Sequence, residues 1–206
     1  MATWTKKRFE SQPVTETPPG TNLERLQASL SGSVVLALDV SGSMSGSRLS
    51  EAKEGCRRFF DEAIEDGYSV GALLWTTQVE GRAAISRDGQ DARRLIADSC
   101  AGGGNGVVPA LREARDMLMA QNAGDRVIAI FGDGDLGDPA AAIRVAAELR
   151  AEDIRIITCG LGLGSAEMLA VISSEANAAD APRTAEQGRI ADAIADMSSG
   201  LKRVTR

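Results

Sequence analysis

Histidine is absent from this 206-residue sequence. Mechanisms that use an imidazole as a base or a metal ligand are therefore excluded, including hydrolases in which a histidine activates Ser or Cys. Cysteine is scarce, and Cys56, Cys100 and Cys159 lie far apart with no CxxC spacing for zinc or redox chemistry. We interpret them as reduced thiols in or near the core, which favours a reducing compartment.

The chain also lacks a surplus of basic residues and a long apolar run. Its 23 Lys and Arg against 29 Asp and Glu give a formal charge of -6, which argues against a broad nucleic-acid interface. The N-terminus has no apolar run typical of a signal peptide, and no stretch approaches the roughly 20 apolar residues of a membrane span. We therefore expect a cytoplasmic protein that binds neither nucleic acid nor membrane.

An apolar content of 43% with 25% charged residues fits one globular domain. Residues 1–20 are polar and contain a Pro and Gly cluster that ends at Gly20, so we predict an extended arm there. The domain is predicted to cover residues 21–206, beginning with a short helix over 22–30.

Strands and helices are predicted to alternate along the domain. Continuous apolar runs of strand length indicate strands over residues 34–40, 68–77, 81–87, 125–132 and 154–162. Apolar residues three or four apart indicate helices over 47–66, 88–100, from 108, from Pro139, over 165–174 and from 190 to 201. This order predicts an α/β fold with a doubly wound, mostly parallel sheet and helices on both faces.

Polar or glycine-rich segments occur in three predicted loops, which would lie at the carboxyl edge of a parallel sheet. Asp39, Ser41 and Ser43 end the first strand, a glycine run spans 102–106, and Asp133 follows the fourth strand. Ligands of such folds bind in the crevice at the carboxyl ends of the strands. Carboxylate and hydroxyl oxygens suit a hard cation such as Mg²⁺, with Mn²⁺ or Ca²⁺ as alternative ions.

The run "DVSGSM" from Asp39 to Met44 resembles the DxSxS signature of the von Willebrand factor A family and its metal ion dependent adhesion site. A glycine-rich turn and "FGDG" follow at suitable distances, over about residues 30–204. The resemblance implies a six-stranded sheet with one short antiparallel edge strand. It also implies that Ser41 and Ser43 bind Mg²⁺ directly, while Asp39 and Asp133 act largely through coordinated water.

Two positions depart from the family pattern. Asn105 stands where a threonine would supply a hydroxyl, and Gly132 stands where many members have threonine before the aspartate. The amide oxygen of Asn105 can still serve as a ligand. We therefore expect metal binding by Asp39, Ser41, Ser43, Asn105 and Asp133, with reduced affinity.

Other motifs are better explained without a ligand. The cluster Asp133–Asp138 fails the EF-hand pattern, because Gly137 and Arg144 stand where that loop needs ligands. "GLGLGS" at 160–165 lacks the spacing and the acidic residue of a dinucleotide fingerprint, so it is interpreted as a strand-to-helix turn.

These features favour a protein-interaction module rather than an enzyme. By resemblance to bacterial von Willebrand A proteins linked to tellurite resistance and to MoxR-type ATPases, the expected partner is a protein that offers Asp or Glu to the metal, such as an ATPase. One alternative is a Mg²⁺-dependent nucleotide- or phosphate-binding enzyme, although Arg48 is the one cation of the three loops. Another is a degenerate domain that binds its partner without metal.

Overall fold

The computed structural model describes residues 31–201. The predicted arm over 1–20 and the predicted helix over 22–30 lie outside this range. No helix within residues 31–201 has the length and hydrophobicity of a transmembrane segment.

Residues 31–201 form six strands and six α-helices, and all of them except the last strand follow the order that the sequence predicts. The strands are β1 (Gly32–Asp39), β2 (Tyr68–Trp75), β3 (Val79–Ser86), β4 (Asp125–Gly132), β5 (Ile154–Leu161) and β6 (Arg183–Ala185). The helices are α1 (Ser47–Glu65), α2 (Gln90–Asp98), α3 (Val108–Met119), α4 (Pro139–Ala151), α5 (Leu163–Ala170) and α6 (Ile190–Ala195). Short 3₁₀ helices cover Gly42–Met44 and Asp196–Leu201.

The strands form one sheet in the order β3-β2-β1-β4-β5-β6. All neighbouring pairs are parallel except β2 and β3, which are antiparallel. The expected mostly parallel sheet with one antiparallel edge strand is therefore confirmed. Because the chain first winds outward from β1 to β3 and then returns to β4, the switch in winding direction lies between β1 and β4.

Three elements differ from the sequence-based prediction. Strand β3 is not short, since it is eight residues long, as β1 and β2 are. Helix α5 begins and ends earlier than predicted. The three-residue strand β6 was not located from the sequence, because two of its residues are polar and β5 is its single partner among the described strands.

The core consists of two layers, one on each face of the sheet. Along β1, Val34, Leu36 and Leu38 pack with α1, α2 and α6, whereas Val35 and Ala37 pack with α3 and α4. Every residue of β1 is buried, as expected for a strand covered on both faces.

Polar side chains clamp the C-terminal 3₁₀ helix at the amino-terminal edge of the sheet. Arg155 of β5 forms a bidentate ion pair with Asp125, through Nη2 to Oδ2 at 2.6 Å and Nε to Oδ1 at 3.1 Å. The Tyr68 hydroxyl lies within hydrogen-bond distance of the same carboxylate and, at 2.8 Å, of the Leu201 carbonyl. The two ends of the described chain, Ser31 and Leu201, therefore lie at this edge.

Candidate metal centre

The three loops that carry the predicted site residues meet at the carboxyl edge of the sheet, at the switch between β1 and β4. Two backbone hydrogen bonds join the glycine-rich loop to the loop after β1. Gly102 N donates to Val40 O at 2.8 Å, and Gly42 N donates to Gly103 O at 3.2 Å. Backbone hydrogen bonds therefore fix the two loops relative to each other independently of their side chains.

Asp39 ends β1 and is fully buried. One of its oxygens, Oδ1, accepts a hydrogen bond from Ser41 N at 2.8 Å, and the other, Oδ2, accepts from Asp133 N at 3.2 Å. The Asp39 carboxylate therefore fixes the backbone of the loop after β1 with one oxygen and that of the loop after β4 with the other.

The side chains of Ser41, Ser43 and Asp133 form a chain of polar contacts. The Ser41 and Ser43 hydroxyls lie 3.0 Å apart, and the Ser43 hydroxyl donates to Asp133 Oδ2. Ser41 is buried, whereas Ser43 is exposed. The site therefore opens to solvent on the side of Ser43.

Burial raises the pKa of Asp39 to about 6. Hydrogen bonds from Ser41 lower this pKa, and the nearby charge of Asp133 raises it. Neither carboxylate forms an ion pair with Lys or Arg among residues 31–201. The ionised form of the pair therefore has no compensating side-chain cation in this part of the chain.

Asn105 brings an amide to the same place from the glycine-rich loop. Its Nδ2 donates to Asp133 Oδ1 over 3.4 Å, which is longer than a normal N–H···O bond. Its Oδ1 is buried and has no hydrogen-bond partner among the described residues. A buried oxygen left without a partner costs about 1–3 kcal/mol, so this atom is suited to a ligand.

Gly132 leaves room for an indole behind Asp39. A Cβ at position 132 would lie 3.0 Å from Asp39 Oδ2 and 3.2 Å from Trp75 Cζ2. Trp75 is fully buried at the end of β2, and its Nε1 has no partner among residues 31–201. A side chain at position 132, such as the threonine of many family members, would therefore crowd the Trp75 indole.

The remaining charged residues of these loops have structural contacts. Asp138 caps α4 by accepting from Ala141 N at 2.9 Å, as the sequence suggests. The Asp135 carboxylate accepts from Gly137 N at 2.9 Å and is exposed. Arg48 donates to the Ser43 carbonyl at 3.0 Å rather than to a carboxylate.

Ser165 supports the site but was not singled out from the sequence. Its hydroxyl donates to the Asp133 carbonyl at 2.5 Å, and Gly134 has φ +93° where an added Cβ would lie 2.5 Å from Ser165 Cα. The loop after β4 is therefore packed against the start of α5. No sequence signal distinguished Ser165, because it belongs to a segment typical of an ordinary turn.

The polar groups of this site fit a hard divalent cation. Among residues 31–201 no group of three or more His, Cys, Asp or Glu side chains is arranged to hold a metal, so hydroxyl and amide oxygens would have to complete a ligand set. The site offers such oxygens from Ser41, Ser43 and Asn105 beside two carboxylates. An all-oxygen set is the one that Mg²⁺ prefers.

The doubly wound sheet has an oxygen-rich site where its winding changes direction, at the carboxyl ends of β1 and β4. This is the position at which open α/β sheets generally bind their ligands. The sequence model of the family described as von Willebrand factor type A domain matches residues 33–193, and the chain belongs to this family. Domains of this family commonly mediate protein interactions.

Solved structures share the fold. The von Willebrand factor domain of the type V pilus tip protein Mfa5 from Porphyromonas gingivalis superposes with a TM-score of 0.71 at 14% identity, over 86% of this chain and 98% of that chain. BatB from Bacteroides thetaiotaomicron gives 0.62 at 18% identity, over 82% and 99%.

A von Willebrand factor type A protein from Catenulispora acidiphila also gives a TM-score of 0.62 at 18% identity, over 82% of this chain and 42% of that chain. A comparison with curated protein sequences found no significant match.

Proposed function

We propose that this domain is a metal-dependent protein-interaction module in which Mg²⁺ binds a carboxylate of the partner. The metal would be held by Asp39, Ser41, Ser43, Asn105 and Asp133. The observation that carries the proposal is the buried Oδ1 of Asn105, which lacks a partner among residues 31–201 although its amide contacts Asp133. An oxygen in this position beside two carboxylates is suited to a cation.

The hydrogen bonds of the site suggest how its residues divide the work. Both oxygens of Asp39 already accept backbone N–H groups, which favours an indirect role through water. The Ser41 and Ser43 hydroxyls are neutral, so they would hold a cation without cancelling its charge. When bound, Mg²⁺ supplies an electrophilic coordination position for an Asp or Glu of the partner.

The chemistry of the loops argues for binding rather than catalysis. The chain has no histidine, and Arg48, the cation of these loops, donates to the Ser43 carbonyl. A Mg²⁺-dependent phosphate enzyme would need a base and a cationic phosphate clamp here. We therefore assign no reaction to this site.

The proposed setting is a bacterial intracellular system in which the domain recruits a partner such as an ATPase. The three cysteines are not paired in disulfides, which is usual for proteins of a reducing compartment and supports this setting. A degenerate domain that binds its partner without metal is the competing proposal.

The metal half of the proposal is tested by calorimetric titration of EDTA-treated protein with Mg²⁺ and Mn²⁺. We expect one ion per chain in the wild type and a loss of affinity of roughly tenfold or more, about 1.4 kcal/mol, in Ser41→Ala. Ser50→Ala is the matched control, because Ser50 is exposed on α1 and its hydroxyl donates to the nearby Gly46 carbonyl, away from the proposed ligands. Equal binding by wild type and Ser41→Ala would rule out the assigned ligand set.

The partner half is tested by affinity capture from the source cells with Mg²⁺, with EDTA, and with Mg²⁺ restored after EDTA. A partner that leaves in EDTA and returns with Mg²⁺ supports the proposal, provided that Ser41→Ala fails to capture it. A partner that is retained in EDTA by both proteins indicates the degenerate domain.

A further inference from the structure

A second polar cavity lies at the amino-terminal edge of the sheet, opposite the candidate metal centre. It has a volume of about 530 Å³ and lies at the amino-terminal ends of the adjacent strands β4 and β5. Three arginines line it, namely Arg126 of β4, Arg150 in the last turn of α4 and Arg155 of β5. Asp153 contributes the acidic side chain of the lining.

Arg126 has unused hydrogen-bonding capacity. Its Nε is buried and has no partner among residues 31–201, and its Nη2 makes a long contact of 3.4 Å with the Gln121 carbonyl. No carboxylate of the described residues forms an ion pair with it. Arg126 thus lines the cavity with a guanidinium whose positive charge no carboxylate of the described residues offsets, and such a group is suited to an anionic ligand.

Arg150 is fixed in place without having its charge neutralised. Its Nη2 donates to the carbonyls of Ile172 at 3.0 Å and Ser173 at 2.9 Å. These are neutral acceptors, and no ion pair joins Arg150 to an Asp or Glu of the described chain. Arg150 therefore contributes a positioned positive charge to the cavity.

Arg155 and Asp153, the other charged residues of the cavity, form no ion pair with Arg126 or Arg150 among the described contacts. Arg155 is matched by its bidentate pair with Asp125. Asp153 is exposed in a left-handed turn at φ +58° and forms no ion pair with the arginines of the cavity. Two guanidinium groups thus remain for a ligand.

We propose that this cavity binds the phosphate group of a small molecule through Arg126 and Arg150. The planar guanidinium presents two parallel N–H groups that match phosphate oxygens, and it keeps its charge at every physiological pH. A volume of about 530 Å³ falls within the range of small-molecule pockets. The site is separate from the metal centre, so neither proposal depends on the other.

Binding is tested by calorimetric titration of the EDTA-treated full chain with pyrophosphate and with inorganic phosphate at low ionic strength. EDTA prevents phosphate from binding through a metal at the opposite edge. We expect saturable binding by the wild type and a loss of affinity of roughly tenfold in Arg126→Gln and in Arg150→Gln. Arg144→Gln should bind as the wild type does, because Arg144 is exposed on α4 outside the cavity.

Amide chemical shifts of the wild type locate the ligand without any variant. Pyrophosphate is expected to shift Ile154 and Ser174, which line the cavity, and to leave Ser41 and Ser43 unchanged. The proposal is overturned by the absence of saturable binding to the wild type, by unchanged affinity in both arginine variants, or by shifts confined to the Ser41 loop. If a variant does not fold, as judged by circular dichroism, the amide shifts of the wild type alone decide whether the cavity binds pyrophosphate.

Discussion

The Ser43 hydroxyl donates a hydrogen bond to the carboxylate of Asp133, ninety residues further along the chain. The Asp133 backbone N–H in turn donates to Asp39, which lies four positions before Ser43. The loops after β1 and β4 are therefore joined in both directions. A substitution in either loop is expected to alter the position of the other.

Asn105→Ala should weaken Mg²⁺ binding, because it removes the unpartnered Oδ1 together with the amide contact to Asp133. We expect a loss of roughly tenfold, about 1.4 kcal/mol, measured by calorimetric titration. Asn105→Thr restores the hydroxyl that the family resemblance implies and should bind more tightly than the wild type. Unchanged affinity in Asn105→Ala would show that residue 105 is not a ligand.

In EDTA, the carboxyl group of Asp39 should make the protein more stable as the pH falls through the window between 3.8 and about 6. Burial raises the pKa of Asp39 in the folded state, so the folded state binds more protons than the unfolded chain within this window. The free energy of unfolding then increases as the pH falls, and this contribution is lost above the folded-state pKa. Its size is about 1.4 kcal/mol for each unit of raised pKa.

The measurement is urea unfolding of wild type and Asp39→Asn, within the window and above it. The difference in unfolding free energy between the two proteins isolates Asp39 from the other carboxylates. It should change with pH in favour of the wild type at the lower value, and a difference that is independent of pH would contradict the assignment.

Gly132→Ala should lower the free energy of unfolding by about 1–3 kcal/mol, because the new Cβ would crowd Asp39 and the Trp75 indole. The cost should be smaller in a Trp75→Phe background, in which the Cζ2 contact is absent. A double-mutant cycle from urea unfolding measures this coupling. Additive effects would show that the indole does not constrain position 132.

One of the three cysteines should react with a thiol reagent in the native protein. Cys100 is exposed, whereas Cys56 and Cys159 are buried, and burial raises the pKa of Cys159 to about 12 and also raises that of Cys56. Ellman's reagent should therefore modify Cys100 in the native state and all three in denaturant. Cys100→Ser should abolish the native reaction, and rapid modification of that variant would contradict the burial of the other two.

The fold could be predicted because its signal is local. Strands such as β1 are buried on both faces and so appear as continuous apolar runs, and their alternation with amphipathic helices indicates a parallel sheet. Strand β6 could not be located because its three residues are partly polar and are specified by pairing with β5.

The candidate site was predictable in part for the same reason. Asp39, Ser41 and Ser43 lie within five residues of one another, and Asp133 directly follows β4, which neighbours β1, so the topology brings them together. The unpaired Asn105 oxygen, the space that Gly132 leaves for Trp75 and the hydrogen bond from Ser165 depend on contacts between distant segments. The cavity between Arg126 and Arg150 has no sequence motif for the same reason.

The clamp of Tyr68, Asp125 and Arg155 on Leu201 has a mechanical consequence. It holds the exit of the described chain beside its entry at Ser31, on the side of the sheet away from Asp39. A pulling force applied through residues 31 and 201 would load this clamp and the start of β1 first. The loops around Asp39 would carry little of that load, so tension between these two points would leave the candidate metal centre in place.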